Sequence, residues 1–247
     1  MQFIFVIPVY NEVLQLDRLA SSVYERLRKH PGSRLMLVNN GSSDGSQQAI
    51  KSLQERFPDF IQGLEVPHKG QGRAFKLAMQ TLASETLPTD SWVIFSAADL
   101  PFGFSDLDQV ESLPSAAHLI IGSKAHPRSA VRRGFKRALV SACYRCLRRL
   151  LLGMKSHDPQ GSLFFRPALL SLHQDCSAPD FFFTTQFVYA VERSGHTILE
   201  IPIQLNSESR PSKINPLQDG WRVLKRTLRF ALRHGRIGDK SRCSMLK

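Results

Sequence analysis

The sequence predicts an α/β protein: a doubly wound, mostly parallel sheet with helices on both faces and a basic C-terminal helix. Three observations predict it. Short, continuous apolar runs, expected of strands covered on both faces, alternate with segments in which apolar residues recur at helical spacing. Each run closes in a polar loop rich in Gly, Pro, Asn or Ser, and such alternation gathers the loops on one edge of the sheet. The chain has 247 residues, 42% of them hydrophobic, which suffices for a sizeable core.

The elements follow in order. Phe3 to Ile7 is the first strand, ending in Pro8-Val9-Tyr10-Asn11-Glu12, after which Leu16, Leu19, Ala20, Val23 and Leu27 fall on one helical face. Arg34 to Val38 is the second strand. The turn from Asn39 to Ser46 leads into a helix with Ala49, Ile50, Leu53 and Phe57 on one side. Ile61 to Val66 makes a weaker third strand before His68-Lys69-Gly70-Gln71-Gly72-Arg73 and a helix through Ala74, Leu77, Ala78 and Leu82. The fourth strand begins at Val93 and stops at Ser96-Ala97-Ala98-Asp99, closed by Leu100-Pro101. Asp99 thus stands at a strand's carboxyl end, where open α/β sheets bind ligands, and it either holds a metal or polar substrate or caps the turn.

Two later segments read as basic amphipathic helices. Lys136 to Leu152 carries Leu139, Cys143, Cys146, Leu147 and Leu150 along one side. From Leu217, the stripe Trp221, Leu224, Leu228, Ala231 and Leu232 is surrounded by Arg222, Lys225, Arg226, Arg229 and Arg233. Each stripe either packs on the sheet or lies on a membrane surface.

The net charge of +12 is unevenly distributed. Ten Lys and Arg with no carboxylate lie between Lys124 and His157, eleven against two lie from Arg210 to Lys247, and the rest of the chain is −7. This asymmetry calls for an acidic partner: nucleic acid, an anionic membrane surface, or phosphorylated substrates. Cys143, Cys146, Cys176 and Cys243 are too few and scattered for a disulfide framework, and Cys143-Tyr-Arg-Cys146 lacks a second ligand pair for zinc. No apolar run reaches the length of a membrane span, and the opening Met1 to Ile7 reads as a strand rather than a leader. A cytoplasmic protein, peripheral on the cytoplasmic membrane face, is expected.

The loops suit a nucleotide. Tyr10 can lie against a base, Glu12 with Asn39 or Asn40 can read ring nitrogens or ribose hydroxyls, and the Gly-rich turn at Lys69 can bring N–H groups and an ammonium near phosphates. K-G-Q-G is not a phosphate-binding P-loop, and no G-x-G-x-x-G follows the first strand, so neither a P-loop enzyme nor a dinucleotide enzyme is supported.

In this order the pieces resemble the family 2 glycosyltransferases of GT-A fold. F-V-I-P-V-Y-N-E is similar to their opening strand and loop, L-V-N-N-G-S-S-D-G-S to V-D-D-G-S-x-D-G-T, H-K-G-Q-G-R-A to N-x-G-K-G-x-A, and S-A-A-D-L to the D-A-D-L metal motif. Later segments resemble the polyprenyl-phosphate branch, which uses dolichyl phosphate and mannose or glucose. These are Gly122-Ser123-Lys124, Asp158-Pro-Gln-Gly-Ser162, Phe183 to Ile203, and Ser212-Lys213. The resemblance implies a GT-A domain over 1–205, with a nucleotide-sugar half (1–102) and an acceptor half (103–205), and a basic helical extension over 206–247. It adds Pro8 and Ala98 to a nucleotide-sugar set of Tyr10, Glu12, Asn39, Asn40, Lys69 and Asp99, and makes Asp99 the catalytic and metal-binding carboxylate. It also implies acceptor-phosphate roles for Lys124 and Lys213, beside which Arg133, Arg137 and Arg210 supply further cations.

The sequence departs from that pattern at the metal. Ala97 stands where the family has its first metal-binding Asp, Pro101 where the branch has Gln, and Asn39-Asn40 replace an Asp pair. One carboxylate and a diphosphate can still hold Mg²⁺ or Mn²⁺, more weakly than usual. Thr184-Thr185-Gln186 offers no general base, whereas a phosphate acceptor is already anionic and needs only cations to position it. The expected activity is therefore inverting transfer of a hexose from a nucleotide-diphosphate sugar to a polyprenyl phosphate. Three alternatives stay open: transfer to a soluble acceptor, a weak or inactive nucleotide-sugar binder, and a basic nucleic-acid-binding protein. No helix-turn-helix, zinc-finger or RNP pattern supports the last, so no nucleic acid is expected.

Overall fold

The computed structural model describes residues 1–113, 116–129, 135–204 and 216–234, with 135–139 and 216–223 by backbone alone. Its first strand, β1 (Phe3–Val9), is an interior strand whose residues, apart from the half-buried Pro8, are buried on both faces. A strand with no polar side to turn outward must be covered above and below. After β1 come α1 (Val13–Leu27), β2 (Arg34–Asn40), α2 (Ser46–Arg56), β3 (Ile61–Val66), α3 (Gln71–Ala83), β4 (Trp92–Phe95) and α4 (Ser105–Ser112). The second half holds β5 (Leu119–Ser123), α5 (Phe135–Leu152), β6 (Ser162–Phe165), a 3₁₀ segment (Pro167–Asp175), α6 (Phe182–Arg193), β7 (Ile198–Pro202) and α7 (Pro216–His234).

Among the described residues the strands form one seven-stranded sheet in the order β3-β2-β1-β4-β6-β5-β7. All neighbours are parallel except β6, which runs antiparallel to both β4 and β5. The sheet is mostly parallel, as expected. The reversal of β6 was not legible in its four residues, because strand direction depends on where the preceding connection ends. Ser162 opens β6 beside Gly122 at the end of β5, so the loop entering β6 lies on the edge where β1, β2, β4 and β5 end. A Cβ on Gly161 would sit 1.9 Å from the Gly122 carbonyl oxygen, so glycine is required where these two segments meet.

Two cores flank the sheet. On one side α1, α2 and α4 bury Leu16, Leu19, Val23, Ile50, Leu53, Leu107 and Val110 against Phe5, Ile7 and Ile94. On the other, Phe75 of α3 stacks on Phe95 of β4 at 3.9 Å, and Phe165 and Phe187 close around the same ring. Offset and edge-on ring packing adds to what the buried area alone contributes. Phe230 of α7 packs edge-on against Phe182 and Tyr189, and the Tyr189 hydroxyl donates to the His234 carbonyl.

Both basic stripes are divided by packing. The inward side of α5 is Tyr144, Arg148 and Leu152, while Cys143, Cys146 and Leu150 face outward. On α7, Thr227, Phe230 and Ala231 are inside, while Leu228 and Leu232 are not. The Leu139 and Trp221 side chains lie outside the described residues.

Asp106, in the first turn of α4, is a carboxylate almost wholly enclosed. Burial pushes its carboxyl up to about 6 from 3.8, even though the Leu107 amide donates to it at 2.8 Å. Because the folded carboxyl holds its proton more tightly than the unfolded one, its contribution to stability is complete below about pH 4. That contribution is lost as pH rises through about 6. Asp106→Asn is expected to raise stability at pH 7 by about 3 kcal/mol, with the gain vanishing below about pH 4. Urea unfolding of both proteins at pH 4 and pH 7 checks this; an equal difference at both pH values would remove the charge effect.

Candidate active site

The loops after β1 and β2 are sewn together by short polar side chains. The Asn11 amide donates to Ser42 Oγ (3.0 Å), Glu12 N to Ser46 Oγ (3.1 Å) and Val13 N to Asp44 Oδ2 (3.1 Å). In return Asn11 Oδ1 accepts from Ser43 N at 2.8 Å. Asn11 does this at φ 54°, a left-handed conformation that Asn tolerates better than most residues. Asp44 also accepts from the Ser46 amide at 3.0 Å, which fixes the start of α2. The N-G-S-S-D-G-S stretch is thus a fastener between two loops.

The two asparagines are used within the protein. Asn39 Oδ1 accepts from Ser42 N at 3.2 Å and its amide donates to Glu65 at 3.4 Å, while Asn40 Oδ1 accepts from Gly70 N at 2.5 Å. Both side chains are buried. The turn before α3 is likewise committed internally. Gly72 N donates to the Pro179 carbonyl at 3.0 Å, and a Cβ on Gly72 would lie 2.2 Å from the Ala178 oxygen. K-G-Q-G therefore admits the 178–180 segment at close range, and the N–H groups of Gly70 and Gly72, expected near phosphates, are taken up by protein oxygens. What this turn does offer is Lys69, whose ammonium stands 3.8 Å from the centroid of the Tyr10 ring. A cation that close to a ring face is held electrostatically, so Tyr10 and Lys69 form one unit beside Pro8 and Glu12.

At the tip of β4, Asp99 is exposed while Ala97 and Ala98 are partly covered. Leu100 follows at φ 40°, a conformation costing a non-glycine residue of order 1–3 kcal/mol, and Phe102 turns back into the core. Over the Phe102 ring, 5.8 Å from its centroid, lies the ammonium of Lys124. The Lys124 amide donates to Asp158 Oδ2 at 2.9 Å, and its ammonium lies 3.3 Å from the Gln160 carbonyl and 4.0 Å from Asp158. The structure thus brings the Asp99 turn, Lys124 and Asp158 together. Arg133, Arg210 and Lys213 lie outside the described residues, as does the Arg137 side chain.

Two residues missing from the sequence-derived set support this corner. Asp158 had a signal, since D-P-Q-G-S stood out as a motif. Arg148 had none, being one of several arginines on α5. It is 2% exposed, lies 4.9 Å over the Tyr144 ring, and donates to the Ser156 (3.3 Å) and His157 (2.9 Å) carbonyls directly before Asp158. Burial holds its guanidinium below the usual arginine value. Thr185 and Gln186, where a general base was sought, are also enclosed. Thr185 Oγ1 meets the Tyr144 hydroxyl at 3.1 Å, and Gln186 Oε1 accepts from Ser177 N and Ala178 N at 3.0 and 2.7 Å.

A sheet in this order, with one reversed strand and its polar loops on a single edge, is a GT-A arrangement. The chain belongs to glycosyl transferase family 2, whose model matches residues 4–165. Among curated relatives, an uncharacterised glycosyltransferase of Nostoc is 31% identical over 87 residues, covering 35% of this chain and 26% of that protein. Glycosyltransferase AglD of Haloferax volcanii is 23% identical over 207 residues, covering 80% of this chain and 32% of that protein. The chain therefore spans about a quarter to a third of the length of these relatives. Glucosyl-3-phosphoglycerate synthase from Mycobacterium tuberculosis, in complex with Mn²⁺, UDP and glucosyl-3-phosphoglycerate, superposes with a TM-score of 0.61 at 17% identity, covering 94% of this chain and 78% of that one. A mannosyltransferase from Pyrobaculum calidifontis, in complex with GDP-Man and Mn²⁺, gives 0.50 at 16% identity, covering 100% and 75%. At these identities the two structures establish the fold.

Replacing Arg148 by Met leaves the buried Ser156 carbonyl and the partly covered His157 carbonyl without their donor, which costs about 1–3 kcal/mol. Urea unfolding is expected to show that loss for Arg148→Met and a smaller one for Arg148→Lys. Wild-type stability in the Met variant would mean that the guanidinium does not hold the 156–158 loop.

Proposed function

We propose that this chain is an inverting glycosyltransferase that moves a hexose from a nucleotide-diphosphate sugar to an acceptor presenting a phosphate. The observation that carries the proposal is the corner in which Lys124 lies over Phe102, at the end of the turn that carries Asp99, and donates its amide to Asp158; the Thr184-Thr185-Gln186 segment offers no carboxylate. Residues 1–102 serve as the donor half and 103–205 as the acceptor half. Tyr10 offers a ring face to the base, and Lys69 is within reach of the diphosphate. Lys124 holds the acceptor anion.

An acceptor oxygen attacks the anomeric carbon from the side opposite the diphosphate. A carbon–oxygen bond forms as the bond to the leaving phosphate breaks, which inverts the anomer. Where the attacking oxygen is the phosphate's own, it is already deprotonated at neutral pH and no general base is required; a hydroxyl of a phosphorylated acceptor would pass its proton to the departing diphosphate or to water. Among the described residues no three His, Cys, Asp or Glu side chains gather as a metal cage. Asp99 with the donor's phosphates fits a divalent ion such as Mg²⁺ or Mn²⁺, which takes few protein ligands and retains water. When bound, such an ion would neutralise charge on the leaving diphosphate.

A soluble phosphorylated acceptor is the first reading, supported by the fold shared with a synthase whose complexes contain phosphoglyceric acid. A polyprenyl phosphate is the second, supported by the outward leucines of α5 and α7. The test measures nucleotide diphosphate release from UDP- and GDP-hexoses with Mg²⁺ or Mn²⁺, offering 3-phosphoglycerate in one arm and a short-chain polyprenyl phosphate in detergent in the other. Lys124→Ala is expected to raise the acceptor KM tenfold or more, as loss of one charged hydrogen bond implies, with donor affinity within about twofold. Asp99→Ala is expected to abolish turnover in a folded protein. An unchanged acceptor KM in Lys124→Ala, or full turnover in Asp99→Ala, would overturn the assignment of that residue.

A further inference from the structure

We infer that the paired outer surfaces of α5 and α7 dock on an anionic lipid bilayer. This goes beyond the transfer reaction and does not require it. The two helices pack together, and each spends only part of its apolar stripe on the core. On α7, Leu228 is 41% and Leu232 is 64% exposed, one helical turn apart. On α5, Val140 is 43% and Leu150 is 69% exposed, with Cys143 and Cys146 exposed between them. Single exposed leucines are ordinary, but apolar rows at helical spacing on two neighbouring helices are a surface to be covered.

Charge says what covers it. Exposed Arg149 on α5 and Arg229 and Arg233 on α7 flank these rows, and neither 140–152 nor 224–234 contains a carboxylate. A partner that accepts leucine between arginines must be apolar within and anionic at its surface, as a bilayer with acidic headgroups is. Not every cation of α7 takes part. Arg226 pairs with Asp180 and secures the helix to the segment lying on Gly72, so it belongs to the docking of α7 on the body. No described helix is long and apolar enough to cross a membrane, so the contact would be peripheral.

The experiment is cosedimentation of the full chain with vesicles of phosphatidylglycerol and phosphatidylcholine, or of phosphatidylcholine alone, without any nucleotide sugar. The partition coefficient is expected to be about tenfold higher on the anionic vesicles and to fall as salt rises from about 0.1 to 0.5 M. Leu228→Gln with Leu232→Gln should lower it about tenfold, with an unchanged melting temperature because both side chains are outside the core. Arg229→Gln with Arg233→Gln should lower binding and flatten its salt dependence. Equal sedimentation with neutral and anionic vesicles overturns the inference. So does a leucine double variant that binds like wild type, or binding to RNA with none to vesicles. Because no substrate is present, failure here leaves the transferase assignment standing.

Discussion

The direction of β6 governs the architecture of the site. Three of its residues pair antiparallel with β4 and four with β5, so the chain must enter β6 on the edge where those two strands end. The 156–161 loop is thereby delivered to the edge where β4 and β5 end, and Asp158 receives the Lys124 amide there. Were β6 parallel, that loop would open on the opposite edge. The cost is crowding, met by glycine at 122 and 161. The direction of one short strand thus decides which edge of the sheet the 156–161 loop shares with the loops after β1, β2 and β4.

A division of labour runs through the loops. Asp44, Ser42, Ser46, Asn11, Asn39, Asn40 and Gln186 all accept from backbone N–H groups of the loops, some exposed and some partly covered, and at the buried Gly70 N, met by Asn40, an unmet donor would cost about 1–3 kcal/mol. This holds the frame still. Among the described residues, Tyr10 under Lys69, the exposed Asp99, and Lys124 above Phe102 stand at its open face. Fixed loops carrying a small number of open charged groups suit a reaction in which charge moves onto a departing diphosphate.

Arg148 shows how the basic half reaches this edge. Its guanidinium, buried within α5, ties that helix to the carbonyls preceding Asp158. The outer surface of the same helix bears Leu150 and Arg149. One helix thus faces both the loop that carries Asp158 and an exterior surface bearing Leu150 and Arg149.

The sequence by itself determined β1 to β4 and the helices α1, α2 and α3 between them, because continuous apolar runs and helical spacing are local consequences of burial. It also marked Tyr10, Lys69 and Asp99, which lie in loops that follow apolar runs and share an edge, and it marked Lys124 through the family resemblance of Gly122-Ser123-Lys124. Tertiary structure alone decided the rest. Asn39 and Asn40 look like ligand readers in sequence, yet they bond to groups around thirty residues away. The glycines of K-G-Q-G look like a phosphate cradle, yet they make room for Ala178 and Pro179. On α5 an arginine went inside and a leucine stayed out. A polar side chain's role is set by which partner reaches it first, and those partners lie far along the chain and meet only when the sheet closes.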